Sequence, residues 1–234
     1  MKRISDILIV SSTKFEVNKI IKKFNFIDKK HENCSSYTYK NFKIDVLISG
    51  IGIPNTSYYL TKTILNKKYD LIINIGICGS FNSEIKIGDV VNVIEDEFAD
   101  VGITKDDNSF SSLFEEGFIS ENDFPYSNAK LVSNFTGYKN LFREVKGITV
   151  NSTSGNEEQI NMRKAKFNAD IETMEGAMVA YTCLSEDIKF IQIRSVSNFV
   201  EIRNKTNWDV SLAIENLSIL LVKFLTHDIN HGLK

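Results

Sequence analysis

The chain has 234 residues, of which 42% are hydrophobic and 25% are charged, as in an ordinary globular protein. Its formal net charge of -2 leaves no basic surplus to neutralise a phosphate backbone, so nucleic acid is not an expected partner. No apolar stretch approaches the roughly 20 residues of a membrane helix. The apolar run near the start, Ile7–Val10, is shorter than the roughly 7–15 residues of a secretory signal, so the sequence predicts a cytoplasmic protein without a membrane contact.

The cysteines give no sign of a metal site or a disulfide framework. Cys34, Cys78 and Cys183 are odd in number, widely spaced and form no Cys-x-x-Cys pair. The histidines lie in polar or terminal segments and lack the spacing of metal ligands. We therefore expect no metal and no cofactor.

Apolar periodicity predicts strands and helices that alternate along the chain. In chain order these are a strand at 6–10, a helix over 15–24, a hairpin at 37–39 and 42–48, a helix over 54–65, strands at 71–75, 88–93 and 147–150, a short helix over 162–167, a helix over 173–184, a strand at 190–197 and a last helix from 210. Thr173 and Asn207 are predicted to cap the last two helices. The polar segment 102–129 lacks a regular pattern and is predicted to be an active-site or surface loop.

This alternation, without repeats or a linker, predicts a single α/β domain over residues 1–234. We expect a three-layer α/β/α arrangement with a mixed, mostly parallel central sheet, and a site at the C-terminal ends of its strands. The polar residues and glycines that follow the predicted strands suit a small polar molecule handled by acid–base chemistry without a metal. They are Glu16, Gly50, Gly52, Gly76, Gly79, Ser154, Gly155, Glu172, Glu175, Arg194 and Asn198.

Taken singly, these residues also have purely structural interpretations. The glycines fit tight strand exits, because no turn completes a dinucleotide fingerprint or a P-loop. Glu16 and Glu175 fit solvated acids in the first turn of a helix, where the helix dipole favours them. Arg194 fits a structural ion pair, and Met174 fits core packing. Only their combination favours a shared site.

Two motifs resemble the purine nucleoside phosphorylase and nucleosidase superfamily. Residues 172–177, ETMEGA, resemble its Met-Glu-Gly/Ala helix start, and residues 193–198, IRSVSN, resemble its Arg-x-x-Ser motif. The similarity is greatest to the branch that contains methylthioadenosine/S-adenosylhomocysteine nucleosidases. Glu16 and the turns at 76–79 and 154–155 fall in matching order, so the resemblance covers essentially the whole chain. It implies a purine nucleoside as substrate and a homodimer or larger homo-oligomer.

The resemblance implies a role for each site residue. Glu16 takes the proton of the attacking water, and Arg194 helps to order that water or the ribose. Glu175 binds the ribose hydroxyls and, as a carboxylate, stabilises a cationic sugar. Met174 packs on the sugar face, and Gly79 is assigned to substrate binding.

Asn198 departs from the pattern of the adenine-releasing members, which carry Asp there to protonate the base. A neutral amide has no acid proton to give, but it can donate to N7 or O6 of a 6-oxopurine and accept from its N1–H or N7–H. Asn198, residues 199–203 and Trp208 resemble the futalosine hydrolase branch, as do segments 76–81 and 113–117. That branch releases hypoxanthine from futalosine in an alternative menaquinone pathway.

Futalosine carries a benzoate on its 5′ side, so its enzyme needs a cation and an apolar surface there. Arg203 is our hypothesis for the cation, with a structural ion pair as an equal alternative. Trp208 or the loop residues Phe110, Phe114 and Phe118 would contact the ring.

Three alternatives stay open. The first is an adenine-releasing nucleosidase that tolerates Asn198. The second is a 6-oxopurine nucleoside phosphorylase, which we rank lower because no arginine lies near the glycine-rich turns and Glu16 would repel phosphate. The third is a non-catalytic nucleoside-binding protein on the same fold.

Overall fold

The structure, a computed structural model, describes residues 4–107, 109–137, 141–202 and 204–228, which contain twelve strands and five α-helices. The strands are β1 (Asp6–Ser11), β2 (Asn25–His31), β3 (Cys34–Tyr39), β4 (Phe42–Ile48), β5 (Leu71–Ser80), β6 (Val90–Phe98), β7 (Gly102–Thr104), β8 (Phe110–Ser112), β9 (Leu131–Val132), β10 (Arg143–Thr149), β11 (Ile171–Thr173) and β12 (Phe190–Phe199). The helices are α1 (Lys14–Ile21), α2 (Ile53–Asn66), α3 (Glu157–Phe167), α4 (Gly176–Ser185) and α5 (Val210–Lys223), with a 3₁₀ turn at Lys205–Asn207 and a π-helical turn at Phe224–Asp228. No helix within these ranges has both the length and the apolar character needed to cross a bilayer.

Ten strands form one mixed sheet in the order β11-β10-β6-β12-β5-β1-β4-β3-β2, with β9 beside β6. The central strands β4, β1, β5 and β12 run parallel to one another. Antiparallel pairs lie mainly toward the margins, in the β2–β3–β4 meander and beside β6. The predicted mixed, mostly parallel central sheet is therefore confirmed.

Helices cover both faces of the sheet because successive residues of a strand point to opposite sides. In β1, Ile7 and Ile9 pack in one apolar cluster with residues of α1 and α5. Leu8 and Val10 pack in a second cluster with residues of α2 and α4. The continuous apolar runs of β1 and β5 follow from this double burial, and the three-layer α/β/α arrangement is confirmed.

The C-terminal end of β5 brings the two motifs together. Most of β5 pairs in parallel with β1 and β12, but Gly79 and Ser80 pair antiparallel with β11. Glu172 of β11 therefore lies opposite Gly79. A register shift after Val196 places Asn198 of β12 opposite Gly79 as well. The motifs at 172–177 and 193–198 thus meet at this glycine.

Two predicted helix caps are wrong. Pairing with β10 continues as far as Thr173, so this residue ends β11, and α4 begins at Gly176 with Glu175 at its N-cap position. The Thr173 hydroxyl still accepts the Gly176 N–H at 3.3 Å. Asn207 belongs to the 3₁₀ turn, and the carboxylate of Asp209 caps α5 instead.

The predicted loop at 102–129 contains regular structure. Its strands β7 and β8 pair as an antiparallel ribbon, and they are too short to show a period in the sequence. The loop is tied to two helices, because Glu115 pairs with Lys166 of α3 at 2.6 Å and Tyr126 packs against Tyr181 of α4.

Candidate active site

Glu16 is held by the N-terminus of α1. Its N–H donates to Thr13 Oγ1, and the Thr13 N–H donates back to Glu16 Oε2 at 3.0 Å, which forms a capping box. The hydroxyls of Ser12 and Thr13 also donate to Oε2, and the Ile77 N–H donates to Oε1 at 3.1 Å. Only 8% of Glu16 is exposed, so it is a fixed, buried carboxylate and not a solvated acid.

Glu175 lies at the N-cap position of α4, and its carboxylate reaches the glycine turn at residues 50–52. Its Oε1 accepts the Gly52 N–H at 2.9 Å. Burial raises the pKa of Glu175 above its ordinary value, although the charge of Arg194 and the Gly52 N–H act to lower it, and the charge of Glu16 adds to the rise. Glu175 therefore binds a proton more readily than a solvated glutamate does.

Arg194 is the buried cation of this group, with 1% of its surface exposed. Its Nη2 donates to Gln192 Oε1 at 3.4 Å, and its Nε has no hydrogen-bond partner in the described part of the chain. Arg194 forms no ion pair there either, so the structural ion pair considered from the sequence is not found among those residues. A buried guanidinium with unused N–H groups is costly unless a ligand or water takes them.

Glu16 and Arg194 converge on Gly76, which lies within β5, so the residues predicted as a turn at 76–79 belong to this strand. A methyl group on Gly76 would collide with Arg194 Nη1 and with Glu16 Oε1. This corrects one expectation, because an arginine does lie beside the glycine-rich segment 76–79. It comes from the adjacent strand, where Arg194 is the register partner of Gly76, and this pairing is not visible in the sequence.

We name Glu16, Glu175 and Arg194 the carboxylate cluster. Two carboxylates and a guanidinium at the C-terminal ends of parallel strands can order a water molecule and the hydroxyls of a sugar. Their net negative charge also favours positive charge that develops on a bound molecule.

A cavity of about 70 Å³, which we name the Asn198 cavity, lies where β5, β11 and β12 end. Asn198 accepts from Ser197 Oγ at 2.7 Å and donates to the Phe199 carbonyl at 2.9 Å, so each end of the amide keeps one further hydrogen-bonding site. The residues that line the cavity are Gly79, Thr153, Ser154, Glu172, Asn198, Phe199, Val200, Glu201 and Trp208.

Gly79 is required by the close packing beside Asn198. A methyl group there would lie 2.8 Å from Val200 Cγ2 and 3.3 Å from Asn198 Nδ2. Of the other predicted binding residues, Trp208 is half-buried in the wall of the same cavity, and half-buried Met174 directly precedes the carboxylate cluster's Glu175.

The remaining predicted residues do not join these groups. Arg203 lies outside the described residues. Phe110 packs against Phe167, and Phe114 packs against Tyr126, so neither lines the Asn198 cavity. The third loop aromatic, Phe118, is 67% exposed.

Asp96 of β6 is a buried acid that the sequence analysis missed. It is 2% exposed and accepts from Gln192 Nε2 at 2.7 Å and from Thr149 Oγ1 at 3.0 Å. Burial raises the pKa of Asp96 to about 6, although both hydrogen bonds and the charge of Arg194 act to lower it. In the sequence Asp96 is only the middle of three successive acids, 95–97, and nothing in that run identifies the buried one.

A buried ion pair behind the Asn198 cavity was also missed. Arg163 Nη1 contacts Glu172 Oε2 and Ser154 Oγ, both at 2.8 Å, and the Ser154 N–H donates to Glu172 Oε1 at 2.8 Å. These contacts fix the turn after β10 against the cavity wall. The available signal was the scarcity of arginine, since Arg163 is one of only five in the chain.

A comparison with family models decides the family. Residues 6–226 match the model of the phosphorylase superfamily. The chain belongs to the phosphorylase superfamily. Every residue of the carboxylate cluster and of the Asn198 cavity falls within the part that matches.

Solved nucleosidases share the fold of this superfamily member. The methylthioadenosine/S-adenosylhomocysteine nucleosidase of Helicobacter pylori is 18% identical, with a TM-score of 0.79 over 96% of this chain and 99% of that chain. The futalosine hydrolase of the same organism is 18% identical, with a TM-score of 0.77 over 95% and 97%. The Colwellia psychrerythraea methylthioadenosine/S-adenosylhomocysteine nucleosidase, solved with adenine, is 20% identical, with a TM-score of 0.78 over 95% of each chain. At these identities the likeness is one of fold.

Proposed function

We propose that this chain hydrolyses the N-glycosidic bond of a purine nucleoside. The observation that carries the proposal is the carboxylate cluster, in which Glu16 and Glu175 are buried and Arg194 lies at Gly76 with unused N–H groups. Cleavage of a ribose C–N bond builds positive charge on the sugar, and fixed carboxylates stabilise that charge. The shared fold with solved nucleosidases supports the same reaction class.

The proposed reaction uses water as the attacking group. An oxygen lone pair of water forms the new bond to C1′ while the C1′–N9 bond breaks and its electron pair leaves with the purine. Glu16 takes one proton of the water, so a hydroxyl remains on C1′, and the departing purine takes up a proton from solvent. Glu175 binds the ribose hydroxyls, and Arg194 orders the water or the ribose.

The finer proposal is that the substrate is futalosine and the released base is hypoxanthine, in an alternative menaquinone pathway. Asn198 supports this choice, because its amide keeps one donor and one acceptor site next to the cavity. A 6-oxopurine presents a complementary acceptor and donor, and its departing anion needs less protonation than that of adenine.

On the 5′ side we propose that Arg203 binds the benzoate carboxylate and that Trp208 contacts its ring. The test is Arg203→Ala, assayed on futalosine and on inosine, which lacks the benzoate. Loss of a charge-assisted hydrogen bond predicts a fall of roughly 10–100-fold in kcat/KM for futalosine and little change for inosine. An equal fall on both substrates would remove the benzoate role.

A second candidate function is that of a 6-oxopurine nucleoside phosphorylase. The observation in its favour is Arg194, whose unpartnered Nε and position at Gly76 offer a cation beside the glycine-rich part of β5. The adjacent carboxylates Glu16 and Glu175 oppose it, because they repel an anionic nucleophile.

One experiment separates these functions. The purified chain is incubated with futalosine, inosine and methylthioadenosine, each with and without phosphate, and the released bases are identified by chromatography. Rapid release of hypoxanthine from futalosine without phosphate is the expected result. Faster release of adenine would identify an adenine-specific nucleosidase, a strict need for phosphate would identify a phosphorylase, and no cleavage at all would leave nucleoside binding.

A further inference from the structure

A buried chain of hydrogen bonds connects Asp96 to Arg194. Asp96 Oδ2 accepts from Gln192 Nε2 at 2.7 Å, and Gln192 Oε1 accepts from Arg194 Nη2 at 3.4 Å and from Asn74 Nδ2 at 3.1 Å. All four residues are 2% exposed or less. Within the described part of the chain the guanidinium therefore makes one hydrogen bond, to the amide oxygen of Gln192, whose NH₂ group donates to Asp96.

Asp96 decides which way the amide of Gln192 points. An ionised carboxylate only accepts hydrogen bonds, so it takes the NH₂ end of the amide and leaves the oxygen for Arg194. With the amide reversed, its NH₂ group would face Arg194 and Asn74, which are also donors, and its oxygen would face the carboxylate. The orientation of Gln192 thus depends on the acceptor character of Asp96.

The other oxygen of Asp96 leads to the beginning of α4. Its Oδ1 accepts from Thr149 Oγ1 at 3.0 Å, and Thr149 Oγ1 accepts the Ala177 N–H at 2.7 Å and contacts Thr173 Oγ1 at 3.1 Å. Ala177 lies in the first turn of α4, directly after Glu175 and Gly176. Hydrogen bonds therefore link Asp96 both to Arg194, through Gln192, and to the beginning of α4, which carries Glu175.

Gly176 is an independent sign that this packing matters. A methyl group there would collide with Asp96 Oδ2 and with Gln192 Oε1. The glycine of the Met-Glu-Gly motif is thus the residue that lets the helix end lie directly against the acid and the amide.

We propose that Asp96 is a positioning residue of the active site, which orients Arg194 through Gln192 and fixes the beginning of α4, and with it Glu175, through Thr149. This inference rests on the proposed function, because its kinetic consequence requires that Arg194 and Glu175 act on a nucleoside. Asp96 itself does not contact the substrate.

The test is a pair of exchanged charges. Asp96→Asn puts an NH₂ group opposite Gln192 or Thr149, so either the path to Arg194 or the path to α4 loses its acceptor, and we expect kcat to fall roughly 10–100-fold with a smaller change in KM. Gln192→Glu alone places two buried carboxylates side by side and is expected to lower kcat as well. The double variant, Asp96→Asn with Gln192→Glu, restores a donor that faces an acceptor and an acceptor that faces Arg194. It is therefore expected to recover most of the lost kcat.

Asp45→Asn is the matched control. Asp45 is also a buried carboxylate with several hydrogen bonds, from Ser36, Tyr69 and Lys67, but these residues lie away from the carboxylate cluster. We expect this variant to lower the thermal midpoint and to leave kcat unchanged. If Asp96→Asn lowered kcat no more than Asp45→Asn, or if the folded double variant recovered none of it, the positioning role would be overturned.

A structural readout separates this inference from the proposed function. If the native chain cleaved no nucleoside, the function would fail, and crystal structures of the native chain and of Asp96→Asn would still test the relay. A guanidinium displaced from Gly76 in the variant supports the positioning role. A guanidinium that keeps its place contradicts it, whatever reaction the chain performs.

Discussion

The carboxylate cluster and the Asn198 cavity differ in the hydrogen-bond partners and in the burial of their key side chains. In the cluster, backbone N–H groups of Thr13, Ile77 and Gly52 bind both acids, hydroxyls add to the binding of Glu16, and both acids are less than 9% exposed. In the cavity, Asn198 is bound by a neighbouring hydroxyl and carbonyl, and it is half-buried.

Under the proposed function, this difference predicts that the cluster and the cavity have different roles. Backbone donors do not change when side chains are exchanged, so the cluster is suited to the step that many nucleosides share, the stabilisation of the sugar cation. The cavity presents side-chain groups whose donor and acceptor pattern changes with a single substitution, so it is suited to select the base. Substitutions in the cluster should therefore reduce the rate on all substrates, whereas those in the cavity should change the ratio between substrates.

The largest effect is expected from the acids of the cluster. Glu16→Gln and Glu175→Gln should each lower kcat roughly 10²–10⁴-fold on every substrate, because an amide neither takes the proton of water nor stabilises the cation as a carboxylate does. Burial disfavours the charge of Glu175, so its replacement should leave the thermal midpoint unchanged or higher. Steady-state kinetics and thermal unfolding test both statements.

Glu215→Gln is the control for these variants. Glu215 pairs with Lys19 at the surface, and its side chain is 51% exposed. A loss of activity in this variant comparable to that of Glu16→Gln would show that the assay reports general damage to the fold. It would contradict a specific role for the cluster in catalysis.

The next effect is a pH dependence of stability that originates behind the cluster. The carboxyl of Asp96 has an ordinary pKa of 3.8 and a pKa of about 6 in the folded chain. Between these values the folded state binds more protons than the unfolded state, so the free energy of unfolding falls as pH rises. For Asp96 alone the fall amounts to roughly 3 kcal/mol, and the raised pKa of Glu175 adds to it with the same sign.

Urea unfolding of the native chain and of Asp96→Asn, from about pH 4 to about pH 7, measures this slope. The slope should be smaller in the variant. Asp45→Asn should change the slope in the opposite direction. Burial raises the pKa of Asp45, but its hydrogen bonds and Lys67 lower it by more. The net pKa is therefore lowered, and this acid stabilises the fold at higher pH. Equal slopes for native and Asp96→Asn chains would contradict the raised pKa.

Gly76→Ala tests the geometry of the cluster without changing a charge. Its methyl group would displace Arg194 Nη1 and Glu16 Oε1, and displacement of catalytic groups by about 1 Å typically costs on the order of 10²-fold in rate. The control is Gly117→Ala in the loop, where the space is open but φ is +73. Gly117→Ala should cost about 1 kcal/mol of stability and no activity. Full activity of Gly76→Ala would mean that the two groups do not act from these positions.

Sequence patterns predict those parts of the fold whose signal is local. β1 and β5 contain nearly continuous apolar runs because both of their faces are buried. β2 was missed because its residues are almost all exposed and show no alternation. β11 was missed because it has only 3 residues and is held by long-range pairing with β5 and β10.

The same distinction applies to the site. Glu16 and Glu175 were predictable because each stands in a motif at a strand or helix end. Asp96 and Arg163 were not, because the role of Asp96 comes from Gln192, 96 residues along the chain, and that of Arg163 comes from the packing of α3 against β11. The approach of Arg194 to Gly76 is likewise a property of strand register, which a single sequence does not reveal.

The smallest expected effect, and the sharpest test of the division between the two regions, is Asn198→Asp. A carboxylic acid at this position can donate a proton to N7 of adenine, whereas a carboxylate cannot donate to O6 of a 6-oxopurine. We expect release of adenine from methylthioadenosine to rise and release of hypoxanthine from futalosine to fall, each by roughly tenfold. Asn66→Asp is a control with the same chemical change, since Asn66 is exposed at the end of α2 and does not line the cavity. If Asn198→Asp instead slowed the release of both bases equally, Asn198 would act in the sugar chemistry that both substrates share. The cavity would then not select the base separately from the cluster.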